Sequence, residues 1–144
     1  MMESFGNNCK TSRLNAKRTQ EDAAELLHIA PRTLASYEAG SPVPVDIAQR
    51  MVKLYQDPFL WYQYARTNAA AAEFLPEIVS VDPSKAALQI MCAGKNFELV
   101  QTKMMMLAAD GKIDINEATE WDQVLQAAHY VVKAAFTLMF AKTE

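Results

Sequence analysis

The chain has 144 residues, 51% of them apolar, with a net charge of −3 and few glycines or prolines. That size suits one or two small domains with a real core, and the abundance of alanine, leucine, methionine, glutamate and glutamine favours helices. No apolar run approaches the ~20 residues of a membrane span, the opening MMESFGNNCK lacks the apolar stretch of a signal peptide, and Cys9 and Cys92 stand outside any metal-ligand spacing, so a cytoplasmic protein with two buried thiols and no metal is expected.

A first helix is predicted from Asn8 to Ala16, with Cys9 and Leu14 as core candidates. Thr19 is placed to N-cap a second helix, whose first-turn Glu21 and Asp22 suit the helix dipole. Ala23, Leu26 and Leu27 form its inner face, and it stops at Leu27 and His28. Ile29 is the apolar residue of a short turn. A third helix opens near Pro31, favoured at a first helical position, and ends before Gly40. It turns Leu34 and Tyr37 inward. After Ser41-Pro42-Val43-Pro44, a fourth helix reaches about Tyr55 with Ile47, Met51 and Leu54 on one face. Asp57-Pro58 interrupts it, and Phe59 to Tyr62 form an aromatic cluster that packs on the preceding bundle.

Residues 67–83 are expected to form a linker, since they hold four consecutive alanines, Leu75-Pro76 and Asp82-Pro83. Residues 84–109 show helical spacing, with Ile90, Gly94, Phe97, Val100, Met104 and Leu107 on one face. Asp110-Gly111 breaks the pattern, and Asp114 with Glu117 makes a capping box for the last helix. Trp121, Leu125, Ala128, Val132, Ala135 and Met139 then recur in steps of four and three, a heptad-like seam that Val124, Val131 and Leu138 widen.

The stretch TQEDAAELLHIAPRTLASYEAG, Thr19 to Gly40, carries the functional signal. Two short helices joined by a tight turn allow the second to enter the major groove, where base edges form a distinct donor and acceptor code. Charge supports this end of the chain. Residues 1–66 hold eight basic against seven acidic side chains, including every arginine, whereas residues 67–144 hold six lysines against ten acids. Arginine suits bidentate phosphate and guanine contacts.

These residues resemble the Cro/repressor-type helix-turn-helix family, also called the XRE family, over roughly residues 8–56. Thr19-Gln20-Glu21, Ala24, Ile29, Thr33-Leu34 and Tyr37-Glu38-Ala39-Gly40 match its pattern in order and spacing. The resemblance implies that the helix Pro31–Ala39 reads bases through Arg32, Thr33 and Ser36, with Arg32 the guanine contact. It implies DNA-backbone contacts from Lys17, Arg18, Thr19 and Gln20, and a structural salt bridge between Arg13 and Glu38. This chain departs from the family at His28, where glycine is usual, at Ala30, where a serine or threonine cap is usual, and at Pro31, where a polar contact is common. Ala39 and Ser41 stand where the family often has phosphate-binding side chains, so affinity per copy is expected to be low.

The expected fold is therefore all-α, with residues 1–66 a compact four- to five-helix DNA-binding bundle and residues 84–144 a long helical hairpin. Such an apolar hairpin cannot bury both faces alone. Pairing of two copies through Phe97, Met104, Trp121, Leu125, Val132 and Met139 would supply two reading helices for an inverted-repeat operator on double-stranded DNA. Packing of the hairpin onto the first bundle in a monomer is the competing arrangement. Asp110 to Glu117 imitates half of an EF-hand loop, but its first ligand positions would be Met106 and Ala108, which cannot bind calcium through their side chains. Leu75-Pro76-Glu77, Ala108 to Ile113 and the acidic start Glu117 to Asp122 resemble the C-terminal half of small prophage-encoded, CII-like regulators, which implies a regulator in a bacterial host. Neither His28 nor His129 sits in a catalytic pattern, and there is no glycine-rich phosphate loop, so neither enzyme activity nor a cofactor is expected. The alternative function is a helical interaction module, or an antitoxin-like regulator whose C-terminal half binds a protein partner.

Overall fold

A computed structural model describes residues 4–143. These residues form eight helices and no strand: α1 (Phe5–Asn15), α2 (Gln20–Leu26), α3 (Pro31–Glu38), α4 (Val45–Tyr55), α5 (Pro58–Ala65), α6 (Ala69–Phe74), α7 (Pro83–Leu107) and α8 (Ala118–Met139). The all-α expectation is met. The described residues divide into two compact units, one ending at Leu75 and the next beginning at Pro76.

In the first unit, α1 to α5 enclose a core of Cys9, Ala23, Ala24, Leu27, Leu34, Val43, Ile47, Ala48, Met51, Tyr55 and Leu60. Small residues dominate the centre of α2, so neighbouring helices approach closely there. Two core expectations are corrected. Leu14 is 55% and Leu26 47% exposed. Helix α1 instead turns Cys9, Ser12 and Arg13 inward, because Arg13 has a buried acidic partner. Helix α2 buries Ala23, Ala24 and Leu27, which leaves Leu26 on the opposite side.

The Asp57-Pro58 break is itself a helix start. The Asp57 carboxylate accepts from the amides of Phe59 and Leu60 at 3.1 and 3.3 Å, and Pro58 takes the first helical position of α5. Its other oxygen accepts a 2.6 Å bond from the Ser12 hydroxyl, which ties α5 to α1. Within the aromatic cluster, Trp61 stacks on Tyr64 with ring centroids 5.5 Å apart, and Phe5 meets Tyr64 edge-on at 5.2 Å. The stretch expected to be a linker holds a further short helix, α6, capped by Asn68. Four consecutive alanines are strong helix formers once a cap satisfies the first turn.

The second unit is an antiparallel hairpin of α7 and α8. The Lys142 amide donates to the Val81 carbonyl at 2.9 Å and the Ser80 hydroxyl to the Phe140 carbonyl at 2.9 Å, closing its open end. Asp114 and Glu117 form the reciprocal capping box, with amide-to-carboxylate bonds of 3.1 and 3.0 Å. The box closes a turn before the regular helix begins at Ala118. Helix α7 buries Ala86 and Ala93, and α8 buries Val124, Ala134 and Thr137. The inward side of α8 is thus rotated from the predicted seam. Trp121 is half-buried, while Leu125, Val132 and Met139 are 40%, 41% and 70% exposed. Phe97 and Met104 on α7 are half-buried. Cys92, expected to be a buried thiol, is exposed. Its neighbour Ala93 takes the inward position, where only a small side chain allows the two helices to approach.

Candidate nucleic-acid interface

The Thr19 hydroxyl accepts from the Asp22 amide at 3.1 Å and starts α2. The helix ends at Leu27, and His28 reverses the chain with φ +56°. Histidine tolerates this left-handed conformation better than bulkier residues. The His28 amide then reaches the Glu25 carbonyl at 3.0 Å, and the Ile29 amide the Ala24 carbonyl at 3.0 Å. These bonds satisfy carbonyls that a helix end would otherwise leave open. Arg50, four residues after its ion-pair partner Asp46, donates to the Leu27 carbonyl at 2.8 Å. Helix α4 thereby holds the end of α2 from outside the motif.

Helix α3 begins at Pro31 with no side-chain cap from Ala30. Its fixed proline φ substitutes for part of the missing cap. Leu34 is fully buried and anchors the helix, while Arg32 and Ser36 are exposed and Thr33 is half-buried. Arg32 makes no ion pair among the described residues, so its guanidinium is available to a ligand. The Ser36 hydroxyl lies 2.7 Å from that of Ser41, which binds the end of α3 to the following loop.

Beneath this face, Arg13 grips Glu38 with two bonds, Nε to Oε1 at 2.6 Å and Nη2 to Oε2 at 3.0 Å. Both side chains are nearly inaccessible, at 6% and 3% exposure. The remaining Arg13 nitrogen donates to the Arg18 carbonyl at 2.8 Å, and the Gln20 amide donates to Glu38 Oε2 at 2.8 Å. One carboxylate at the end of α3 therefore joins α1 and α2, and its partner Arg13 also holds the α1–α2 turn. Burial pushes the Glu38 carboxyl up. The hydrogen bonds from Arg13 and Gln20, with the positive charges of Arg13 and Lys10, outweigh that and hold it below its ordinary value. The hydrogen bond to Glu38 raises Arg13 in turn. Burial, and then the Glu38 charge, push the neighbouring Cys9 thiol up to about 12, which keeps it neutral and unreactive.

Among the residues expected on the DNA backbone, Thr19 and Lys17 are exposed. Lys17 sits in the α1–α2 turn with φ +57°. Arg18 pairs with Asp22 at 2.9 Å. Gln20 is half-buried, and its side-chain amide donates to Glu38. Two contributors escaped the sequence reading. The Asp46–Arg50 spacing was visible, but a contact from Arg50 to a carbonyl 23 residues earlier carries no sequence signal. Gly6 lies inside α1 against α3: a Cβ there would sit 2.5 Å from the Tyr37 carbonyl oxygen, 2.8 Å from that of Glu38 and 2.9 Å from the Gly40 nitrogen.

The first unit is a helix-turn-helix unit by element order, turn geometry and an exposed second helix. Residues 10–60 match the helix-turn-helix family, which supports a DNA-binding regulator of the Cro/C1 type at this end of the chain. No curated protein and no solved structure matches the chain. Among the described residues, no helix is long and apolar enough to cross a membrane, and no cluster of histidine, cysteine and carboxylate side chains has the arrangement of a metal site.

Proposed function

We propose that this chain is a sequence-specific transcriptional regulator that binds an inverted-repeat operator as a homodimer, with α3 in the major groove. The carrying observation is the division of α3 into two sides. Leu34 and Glu38 are locked into the unit, while Arg32, Thr33 and Ser36 lie along the part that remains accessible. A rigidly held helix with an unpaired arginine near its N-terminus suits base reading. Lys17, Arg18 and Thr19 lie at the start of α2, where backbone contacts would set the register. Gln20 would join them through whatever donor its bond to Glu38 leaves free. The acidic second unit, with its exposed apolar side chains, is assigned to pairing. The activity is non-catalytic and cytoplasmic, and the segments Leu75 to Glu77 and Ala108 to Ile113 favour a phage or mobile-element origin.

Arg32→Ala is expected to weaken operator binding by about 10- to 100-fold and to relax preference at one base pair. Lys53→Ala, an exposed change on α4, should weaken all sequences slightly and equally. Gel-shift titrations against the operator and a scrambled duplex check this. Equal losses for the two variants would remove Arg32 as a base reader.

A further inference from the structure

Helix α7 carries two apolar sides. One faces α8. The other holds Leu88, Met91, Leu99, Met105 and Met106, which are 62 to 79% exposed. Midway along it, Lys95 and Glu98 lie 3.3 Å apart with both side chains largely in solvent. Gly94 stands beside them in the helix interior, with nothing within 4 Å of where a Cβ would point. An interior glycine costs about 1 kcal/mol relative to alanine, and no neighbour in the chain requires it. Lys103 does not belong to this surface, because it pairs with Glu120 of α8 across the hairpin.

This arrangement is self-complementary. If a second α7 lies antiparallel, with the two-fold axis between residues 96 and 97, Lys95 falls opposite Glu98 of the other copy, and Glu98 opposite its Lys95. In the same register Leu99 flanks the two-fold axis, on the same side as Leu99 of the other copy. Leu88 meets Met105, and Met91 meets Thr102. A closed two-fold interface needs just this reciprocity, in which residue i meets j and j meets i. Helices of 25 residues run ~37 Å, long enough to align all these pairs.

We propose that the outer side of α7, centred on Lys95, Glu98 and Leu99, is the surface through which two copies of this chain pair. The inference rests on the homodimer reading above and gives it a specific face and register. Helix α8 offers the competing surface, through Leu125, Val132 and Met139.

The test is the dimer dissociation constant of the full chain, from sedimentation equilibrium. Leu99→Glu is expected to raise it about 100-fold, since it places an unpaired charge at the centre of the contact. Val132→Glu should leave it within about 3-fold. Lys95→Glu and Glu98→Lys should each weaken pairing about 10-fold, and the double exchange should restore it. All four positions are exposed, and matched helical circular dichroism confirms that each variant folds. A dimer that survives Leu99→Glu but is lost in Val132→Glu overturns the α7 face while leaving the homodimer intact. A double exchange that restores nothing overturns the register. A wild-type chain that stays monomeric at high micromolar concentration overturns both the homodimer and this face.

Discussion

Glu38→Ala is expected to destabilise the first unit by about 3–5 kcal/mol, because it leaves the Arg13 guanidinium buried without its partner. The loss is larger than that of a surface ion pair, which is worth about 0–1 kcal/mol. Arg18–Asp22 and Asp46–Arg50 are of that weaker kind. Replacing both Arg13 and Glu38 with methionine should recover much of the deficit, since no unpaired charge then remains in the interior. Urea denaturation of Arg13→Met, Glu38→Met and the double variant, against the wild type, measures the coupling directly. The pH dependence has a definite sign. The folded Glu38 carboxyl is held below its ordinary value of 4.5, so its contribution is complete above that pH. It is lost as the pH falls through the lower folded value. The stability gap between wild type and Glu38→Ala should therefore be wide at pH 7 and narrow in strong acid.

Gly6→Ala should be about as damaging, through sterics rather than charge. The added methyl would stand 2.5 to 2.9 Å from three backbone atoms of Tyr37, Glu38 and Gly40. Backbone at a helix end cannot swing aside as a side chain does, so α1 must retreat from α3. Overpacking typically costs about 1–3 kcal/mol, and the rigid neighbours place this case at or above the top of that range. The retreat also stretches the Arg13–Glu38 contact, so the two effects compound. For a unit of this size, a loss of ~3 kcal/mol lowers the melting midpoint by roughly 12–24 °C. Thermal unfolding of Gly6→Ala checks the figure, and an unchanged midpoint would show that α1 and α3 do not approach as closely as described.

Most of the helix-turn-helix was legible because its signals are local. Thr19 is a cap, Pro31 an N-terminal helix residue and Gly40 a helix stop, and each acts within one turn of itself. The extra helices α5 and α6 were read as a break and a linker because Asp-Pro and a polyalanine run are ambiguous until a cap is seen to close. Rotational setting was less legible than helix existence. A helix with apolar residues on several sides, such as α8 or α1, leaves its inward face to be chosen by the neighbour. For α1 the neighbour is a carboxylate, so an arginine goes in and Leu14 stays out. Gly6 was invisible because its role lies in the backbone of a helix some thirty residues on.

The Arg50 contact with the Leu27 carbonyl has a further consequence, for ion release on complex formation. Three of the eight basic side chains before residue 67 are firmly engaged within the unit: Arg13, Arg50 and Arg66. That leaves Lys10, Lys17, Arg18, Arg32 and Lys53 to displace cations condensed on the duplex, Arg18 by giving up its exposed pair with Asp22. Each neutralised phosphate contributes a slope of about −0.9 to log K against log salt concentration. Through these side chains one copy can therefore reach no steeper than roughly −4.5. Such a protein holds its site less by charge than by fit, and raised salt should erode its nonspecific binding before its choice of sequence.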